Sequence, residues 1–424
     1  MTLKRRIALI IAGAVVFLLA GPAVVLLAQG YRFDWDAAGL TRTGTLVVKS
    51  EPRAEGTLSG LADFSTPLTD RFIMPGEYQI TLSKPGYRSY TKRVNVSAGL
   101  VTFVPDQNSK IYLLSDNAES ETINDAVSGI FAWKDSVFFV DKTKNAVFRF
   151  VTGASAAEFS ASSTLDLSDA KFIDARISDG TPEFILQSQN RQLYVSPEKT
   201  YVLPNLRGLR FGSETETFLG LDPKNQLLEL TARGPAILKP SVLGFDARDD
   251  QIYYVSATAT STALYLAGRS ETKLILDHLP TAASAQVIVS PSDQIFLRLD
   301  SDLYAVKDKL EKIGSQVAFA YWDINGDFLF YGNDHETWMF EAEQARLLNR
   351  STQKIISPVY HHMLGYEFFG QGSQVIAREA DFSGQPNAYT LISGAAPIAA
   401  LTADNDGKYL IYLEGSILKQ LPIR

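Results

Sequence analysis

The sequence of 424 residues predicts an all-β protein behind one N-terminal transmembrane helix. Three observations support this. The chain begins with a long uncharged apolar run, continues with a short stretch of alternating strands separated by Pro/Gly turns, and then repeats a strand pattern about every 32 to 48 residues. These features divide the chain into a cytoplasmic tail and transmembrane anchor (1–29), a juxtamembrane linker (30–42), a small β domain (43–115) and a large β domain (116–424).

The anchor is predicted from the run Ile7 to Ala28, which contains no charged residue and is as long as a bilayer-spanning helix needs. Lys4-Arg5-Arg6 precede it, so the positive-inside rule places the N-terminus in the cytoplasm and residues 30–424 outside. A secretory signal peptide has a shorter apolar core and a small-x-small cleavage site, which Leu26-Leu27-Ala28 does not supply. We therefore expect an uncleaved anchor with residues 7–28 in the lipid bilayer, and Tyr31 and Trp35 at its interface.

Composition restricts the possible chemistry and partners. The chain has no cysteine, which excludes disulfides, a thiolate metal site and a cysteine nucleophile. An exported protein without disulfides fits a bacterial envelope better than a eukaryotic secretory route. Residues 41–115 carry nine basic and six acidic side chains, whereas residues 116–424 carry 27 and 39. Such an acidic large domain argues against nucleic acid as its partner.

The small domain shows the period-two alternation of half-buried strands. Tyr78, Ile80 and Leu82 alternate with polar residues, and residues 90–96 form another candidate strand. Pro75-Gly76 and Lys84-Pro85-Gly86-Tyr87 interrupt the strands as turns. This pattern predicts a compact β-sandwich.

The same segment resembles the PEGA domain, a short β module of bacterial and archaeal envelope proteins. The resemblance rests on Gly44-Thr45-Leu46-Val47-Val48, Pro52, Thr66-Pro67, Met74-Pro75-Gly76-Glu77-Tyr78-Gln79-Ile80-Thr81-Leu82, Gly86-Tyr87 and Val94-Asn95-Val96. In place of the family's Pro-Glu-Gly-Ala the chain has Pro52-Arg53-Ala54-Glu55-Gly56. The resemblance implies an extracytoplasmic, non-catalytic interaction module and no catalytic residues.

The large domain repeats a unit of three predicted strands, the second of them often rich in aromatic residues. Clear examples begin at Gly129, Leu243, Val287 and Ile398, and further units begin near Ile177, Leu209, Ala318 and His361. This spacing is typical of four-stranded propeller blades, which must stack around an axis to bury both faces of each sheet. Tight hairpins are expected at Asp179-Gly180, Asn325-Gly326 and Asp406-Gly407.

We count eight units, with seven blades as the alternative because two units are irregular. The last unit needs a strand from earlier in the chain to close the ring, and the best candidate is Lys110-Ile111-Tyr112-Leu113-Leu114. The repeat resembles WD-repeat and TolB-like propellers at the level of fold, although the Gly-His and Trp-Asp signatures of WD repeats are missing.

No motif predicts a cofactor, a metal or catalysis. Adjacent strand residues point to opposite sides, so His361 and His362 cannot ligate one ion from regular β structure, and His278 and His335 are expected at edges or in loops. Asp323–Asp327 and Asp404–Gly407 resemble calcium loops but lack the full ligand series and the closing glutamate, which favours hairpin turns. No nucleophile elbow, phosphate-binding loop or zincin helix occurs in the sequence.

Two groups of residues are candidates for partner binding. A basic group on one hairpin of the small domain is expected either to meet an anionic envelope polymer or the acidic propeller, or to form a solvated face that protects an edge strand; it comprises Lys84, Arg88, Lys92 and Arg93. An aromatic group around the sixth unit is expected either to line a glycan- or peptide-binding mouth or to belong to the core; it comprises Tyr321, Trp322, Tyr331, Trp338 and Tyr360.

Three functions from different classes remain. The first, which we favour, is a non-enzymatic, membrane-tethered binding or scaffolding protein of the bacterial envelope, whose propeller engages a protein or glycan. The second is a propeller-based hydrolase or lyase acting on envelope carbohydrate, for which a carboxylate pair with shifted pKa in the central channel would be evidence. The third is a sensor, which the short cytoplasmic tail disfavours.

Overall fold

The computed structural model describes residues 3–35, 38–59, 63–105, 109–116, 118–133, 136–161, 165–178, 180–248, 250–258, 261–268, 271–322, 328–380 and 386–424. Helix α1 (Leu3–Ala28) is followed almost entirely by β structure. Among the described residues, the segment Ile10–Ala28 of α1 is the one helical segment long and apolar enough to cross a membrane. Its 19 residues extend about 29 Å, close to the thickness of a bilayer core, a property that membrane anchors share with signal sequences.

A short hairpin folds the chain back onto the end of α1. Strands β1 (Tyr31–Asp34) and β2 (Gly39–Arg42) pair antiparallel, with Tyr31 opposite Arg42. The carbonyl of Gly30 then accepts hydrogen bonds from the Thr43 amide (2.8 Å) and hydroxyl (2.7 Å). The small domain therefore begins directly beside the helix terminus.

The small domain is a two-layered β-sandwich, as the alternation of its strands predicts. Its strands are β3 (Gly44–Val48), β4 (Ser50–Glu51), β5 (Glu55–Leu58), β6 (Phe64–Ser65), β7 (Leu68–Ile73), β8 (Gly76–Ser83), β9 (Tyr90–Val96), β10 (Val101–Val104) and β11 (Ile111–Tyr112). One layer has the order β10-β3-β7, extended by the pair β11-β4, and the other has the order β6-β5-β8-β9. Leu46, Val48, Ile80, Leu82 and Val96 are almost completely buried between the layers.

The strands of this domain run between two ends that we call the anchor pole and the propeller pole. At the anchor pole, Gly44 pairs with Ile73 and Thr45 with Val101, beside the end of α1. At the propeller pole, Val48 pairs with both Leu68 and Val104. At about 3.3 Å per residue, the sandwich separates the two poles by about 15 Å.

The large domain consists of eight four-stranded sheets in the described part of the chain, which settles the choice between seven and eight blades. Blade 1 contains β13 (Val127–Trp133), β14 (Ser136–Asp141), β15 (Ala146–Val151) and β16 (Ala157–Ala161), and blade 2 contains β17 (Lys171–Ser178), β18 (Thr181–Ser188), β19 (Arg191–Val195) and β20 (Thr200–Leu203). Blade 3 contains β21 (Arg207–Phe211), β22 (Phe218–Leu221), β23 (Leu227–Thr231) and β24 (Gly234–Lys239), and blade 4 contains β25 (Val242–Arg248), β26 (Gln251–Ala257), β27 (Thr262–Ala267) and β28 (Thr272–Leu276).

Blades 5 to 8 complete the propeller. Blade 5 contains β29 (Ala285–Val289), β30 (Ile295–Leu299), β31 (Asp302–Val306) and β32 (Leu310–Gly314), and blade 6 contains β33 (Phe319–Trp322), β34 (Leu329–Gly332), β35 (Glu336–Glu341) and β36 (Gln344–Arg350). Blade 7 contains β37 (Ile356–His361), β38 (Tyr366–Gln371), β39 (Gln374–Glu379) and β40 (Ala388–Ser393), and blade 8 contains β41 (Ile398–Ala403), β42 (Tyr409–Glu414), β43 (Ile417–Pro422) and, from earlier in the chain, β12 (Glu121–Asn124). The first strands of neighbouring blades contact each other, so they surround the central axis.

The strand that closes the ring differs from the predicted one. β12 pairs antiparallel with β43, placing Glu121 opposite Gln420, whereas the predicted segment 110–114 pairs with β4 of the small domain. The reason is that segment 110–114 connects two hydrophobic cores. Ile111 and Leu113 pack into the sandwich, while Tyr112 and Leu114 pack against blades 7 and 8.

Within the described ranges, six of the eight innermost strands contain a β-bulge, namely β13, β17, β21, β25, β37 and β41. A bulge redirects side chains near it, and several of these bond to the next blade. The Ser128 hydroxyl donates to the carbonyl of Ala170 (3.1 Å), and the Ser357 hydroxyl accepts the amide of Leu401 (3.2 Å). These hydrogen bonds link consecutive blades around the axis.

Candidate interaction sites

The predicted basic group does not form one patch. Lys92 is 2% exposed, because it shares the inward face of β9 with Tyr90, Val94 and Val96. Its neighbour Arg93 points to solvent, 3.8 Å from Glu77. Adjacent strand residues face opposite sides, which separates Lys92 from Arg93.

The other two members of the basic group lie apart from this strand. Lys84 donates to the carbonyl of Arg53, and Arg88 lies 3.9 Å from Asp116.

Lys92 instead belongs to the contact between the small domain and the propeller, which we call the joint. Its ammonium lies 3.5 Å from the Glu379 carboxylate at the end of β39, and both side chains are buried. The Tyr90 hydroxyl donates to the same carboxylate at 2.7 Å. The amide and side chain of Asn387 donate to its other oxygen, at 3.1 and 2.9 Å. A buried carboxylate with this many donors fixes the geometry of the contact.

Further hydrogen bonds extend the joint over blades 7 and 8. The Arg88 amide donates to Leu114, and the Tyr389 hydroxyl donates to the carbonyl of Ser89 (3.1 Å). Arg424, after the last blade strand, lies 3.8 Å from Glu51. The small domain therefore lies on the propeller face that carries the turns after the first and third strands of each blade. We call this the anchor-side face.

A cleft of about 340 Å³ remains beside the joint. The small-domain side contributes Tyr90, Lys110 and Tyr112, and the propeller side contributes Arg346, His362 and Tyr366 among others. The Lys110 ammonium bonds to Glu51 at 3.0 Å, so part of the positive charge of this cleft is neutralised. Domain interfaces are a frequent location of ligand sites.

The predicted aromatic group separates into core and surface members. Tyr331 is 1% exposed, and its hydroxyl donates to the carbonyl of Ile313 at 3.0 Å. Trp322 packs edge-on against Phe296 between blades 5 and 6, and Tyr360 packs edge-on against Phe328. Tyr321 is 41% exposed, and its hydroxyl donates to Pro358 of blade 7.

Trp338, the fifth member, lines a cavity of about 660 Å³ that we call the blade 6 cavity. The link from blade 5 to blade 6 (residues 313–318) and the turn from β34 to β35 (residues 332–336) form its other walls. The indole ring stacks on Tyr331, with centroids 6.4 Å apart, and its N–H donates to Glu336 at 3.2 Å. The turn after the second strand of each blade lies on the propeller face opposite the joint, and we call this face the far face.

Three charged residues on the inner strands form what we call the channel ion cluster, namely Asp174, Arg210 and Asp246. The Asp174 carboxylate lies 3.6 Å from Arg210 on the next blade. Burial raises the pKa of both carboxyls above their ordinary values, against the attraction of Arg210, and repulsion from Asp174 further raises that of Asp246. Each carboxylate also accepts a backbone N–H from the next blade, Phe211 and Val289 respectively, at 3.1 Å.

A second buried acid, Glu367, lies in blade 7. It is 1% exposed, and burial raises the pKa of its carboxyl to about 7, although Thr337, Arg378 and Asn349 act in the opposite direction. Thr337 and Asn349 belong to blade 6, so this cluster lies between two blades.

The four histidines have different surroundings in the structure. Burial lowers the pKa of His361, whose Nε2 lies 3.0 Å from the carbonyl of Asp404 in blade 8, so Nε2 carries a proton and donates. His362 stacks on Phe328, His335 is exposed beside Ser351, and His278 is exposed beside Asp277. Within the described ranges, no three His, Asp or Glu side chains are grouped as metal ligands.

The turn at Asp406-Gly407 is a hairpin, as predicted. Gly407 has a φ of +61°, and Asp404 Oδ1 accepts the amides of Lys408 (2.8 Å) and Tyr409 (2.9 Å), which leaves this oxygen committed to the turn. The candidate turns at Asp323–Asp327, including Asn325-Gly326, and residue 179 of Asp179-Gly180 lie outside the described residues.

Sequence reasoning missed Tyr90, Glu379, Glu367 and the channel ion cluster. One signal was available, because Lys92 alternates in phase with Tyr90, Val94 and Val96 and so belongs to the buried face. The other residues lie on strands that look ordinary in sequence. Their partners are up to 289 positions away, as for Tyr90 and Glu379.

These features define a β-propeller protein that carries a small β-sandwich and an N-terminal apolar helix. In particular, the PEGA domain family matches residues 43–105, in agreement with the resemblance of the sandwich segment. No curated protein matches the chain.

Solved structures with a similar fold are propellers. The C-terminal WD40 domain of Sif2 aligns with a TM-score of 0.50 and 12% identity, covering 72% of this chain and 98% of that one. A streptogramin B lyase aligns with a TM-score of 0.43 and 12% identity, covering 73% and 98%. A virginiamycin B lyase from Staphylococcus aureus aligns with a TM-score of 0.42 and 10% identity, covering 73% and 99%. At such identities the likeness concerns the propeller fold alone.

Proposed function

We propose that the chain is a membrane-anchored, extracytoplasmic binding or scaffolding protein of the bacterial cell envelope, whose propeller engages a protein or glycan partner without catalysis. The observation that carries this proposal is the joint. A buried ion pair and a shared extended segment connect the sandwich to blades 7 and 8. The sandwich then holds the propeller about 15 Å beyond the anchor pole.

This arrangement assigns different tasks to the two propeller faces. The small domain covers blades 7 and 8 on the anchor-side face, whereas the far face contains the blade 6 cavity, where a partner can bind. Trp338 lies in this cavity beside the pair of Glu336 and Arg350, in which Arg350 donates to Glu336 at 2.7 Å. An aromatic ring next to polar side chains in a cavity suits a sugar or a peptide side chain.

A photo-crosslinking amino acid at position 335 tests this proposal in cells that produce the full chain. His335 is exposed at the rim of the blade 6 cavity. We expect a discrete adduct from this position and none from position 274, which is 48% exposed on blade 4. Equal, diffuse adducts from both positions would contradict a partner site at the cavity.

The proposed topology has a separate test. Because the chain has no cysteine, a single cysteine at position 278, where the side chain is 88% exposed, is a unique label site. A membrane-impermeant maleimide should label it in intact cells whose outer barrier, where present, has been permeabilised. Labelling only after lysis of the cytoplasmic membrane would reverse the topology.

A hydrolase or lyase acting on envelope carbohydrate is the second candidate, and the channel ion cluster is the observation that favours it. Two neighbouring carboxyls with raised pKa are the kind of evidence that acid–base catalysis requires. Wild type, D174N and D246N should then be compared for release of soluble sugar from purified envelope polysaccharide. Catalysis predicts loss of turnover in folded variants, whereas no turnover in wild type, or turnover retained in both variants, rejects it.

A further inference from the structure

The anchor pole of the small domain carries an exposed apolar surface, which we call the pole patch. Its members are Phe33, Trp35, Leu40, Phe72, Leu100 and Val101, each between 48% and 86% exposed. Single exposed apolar side chains are ordinary, but a group of large ones on one side of a domain indicates an interaction surface.

Three separate segments converge on this patch. The β1–β2 hairpin supplies Phe33, Trp35 and Leu40, and the rings of Phe33 and Trp35 meet edge-on with centroids 4.7 Å apart. β7 supplies Phe72, and the turn into β10 supplies Leu100 and Val101.

Backbone contacts hold these segments beside the end of α1. Thr43 bonds to Gly30 on one side, and its carbonyl accepts the amide of Gly99 at 3.0 Å on the other. The register places Ile73 opposite Gly44 and Val101 opposite Thr45. The patch is therefore continuous with the helix that is proposed to cross the bilayer.

Arginines accompany the apolar side chains. The Arg32 guanidinium lies 4.3 Å from the centre of the Phe72 ring, and its Nη1 donates to the carbonyl of Leu27 at 3.0 Å. Arg42 is exposed and packs against Gly99. Aromatic rings with arginines at a helix end are the composition of a membrane interface, where the rings enter the headgroup region and the guanidinium groups meet phosphates.

We propose that the pole patch is a lipid-binding surface that lies in the headgroup–acyl boundary of the bilayer crossed by α1. The small domain is then seated on the membrane through a face of its own and is not a free tether. This inference rests on the membrane anchoring in the proposed function. It adds that the direction in which the propeller points is set by the sandwich.

The test uses the full chain reconstituted in vesicles of phosphatidylcholine and phosphatidylglycerol. Single cysteines at positions 72 and 100 are labelled with a nitroxide, and position 274 on blade 4, of similar exposure, is the control. We expect labels at 72 and 100 to collide preferentially with oxygen, and the label at 274 to collide preferentially with a water-soluble nickel complex. Labels at 72 and 100 as accessible to nickel as the control, in protein that floats with the vesicles, would overturn the lipid-binding surface.

Two additions separate the possible outcomes. Failure of the wild-type chain to float with vesicles would reject membrane anchoring itself, and with it the proposed function. Brominated lipids provide a second measurement, because their bromine atoms quench the fluorescence of tryptophans that contact lipid. We expect less quenching in W35F than in the wild-type chain, since W35F lacks the tryptophan of the patch. Unchanged quenching in W35F would contradict lipid contact at the patch. Dimerisation through the patch would show as dipolar broadening between nitroxides on two copies, without preferential collision with oxygen, and would overturn the proposal.

Discussion

At the residue scale, buried ionisable groups carry the most information about this protein. Glu379 accepts three hydrogen bonds, from Tyr90 and Asn387, and lies in an ion pair with Lys92, so its carboxylate has a structural role at the joint. Glu367 lies between blades 6 and 7 with Arg378 as its neighbouring cation, and its raised pKa shows that burial outweighs that attraction. Of these two buried glutamates, Glu367 therefore has a carboxyl that can change its charge near neutral pH.

The raised pKa of Glu367 predicts a pH-dependent free energy of unfolding. A carboxyl that titrates near 4.5 when unfolded and at about 7 when folded favours the folded state below pH 4.5, and this contribution is lost as the pH rises to about 7. The shift corresponds to about 3 kcal/mol. Denaturant unfolding of E367Q should lack this slope between pH 5 and 8 and exceed wild type in stability at pH 8.

Exposed carboxyls provide the control for that measurement. E343Q changes a surface acid, 76% exposed and 3.3 Å from Lys307, and should leave the slope of the wild type unchanged. An equal slope in E367Q and wild type would show that Glu367 is ionised in the folded protein throughout this range.

At the element scale, the close approach of inner strands determines how the blades pack. Bulges redirect Ser128 and Ser357 toward the next blade, and glycines allow backbones to approach. A Cβ on Gly244 of β25 would lie 1.8 Å from the carbonyl oxygen of Ala285 in β29. Gly244 is therefore required for the contact of blades 4 and 5.

G244A is expected to force these two blades apart and to lower the free energy of unfolding by about 3 kcal/mol or more, because the added methyl group would meet backbone atoms of Ala285. The matched variant G268A places its Cβ 4.0 Å from the nearest atom, the carbonyl oxygen of Glu271, and should unfold with wild-type stability. Chemical denaturation of both variants provides the comparison. Similar stability for the two variants would mean that the inner strands can separate without cost.

At the scale of the whole molecule, the sandwich and the propeller form one body through the joint. The segment 111–114 sends alternate side chains into two cores, and Lys92 crosses from one domain to Glu379 of the other. The pole patch and the far face then lie at opposite ends of these two connected domains. This is the property that a tethered scaffold requires.

K92M removes the cation of a buried pair, and we expect it to weaken docking of the sandwich by about 3 kcal/mol. The measurable result is faster proteolysis of the segment between the two domains, at residues 115–120, with the propeller intact. R93A changes the adjacent, 78% exposed side chain and should cost no more than about 0.5 kcal/mol. Equal protection of K92M and R93A would show that the apolar contacts alone hold the domains together.

Local patterns explain which parts of the fold could be predicted. The eight repeats, the strands of the sandwich and the turn at Gly407 depend on periodicity and turn residues within a few positions. The closing strand was assigned wrongly because segment 110–114 and β12 are both short, and only packing shows which of them meets β43. The aromatic group divided into core and surface members because a propeller buries both faces of each blade, so several of its aromatic side chains pack against neighbouring residues.

The sequence by itself determined the apolar helix, the PEGA-type sandwich and the repeated blade unit, since each follows from composition or spacing along the chain. Only the tertiary structure decided which charges are buried and what they meet. The pairs Lys92 with Glu379, and Asp174 with Arg210, join residues from different domains or blades. Their cost or benefit depends on desolvation, and desolvation is a property of the packed molecule that no local pattern of residues contains.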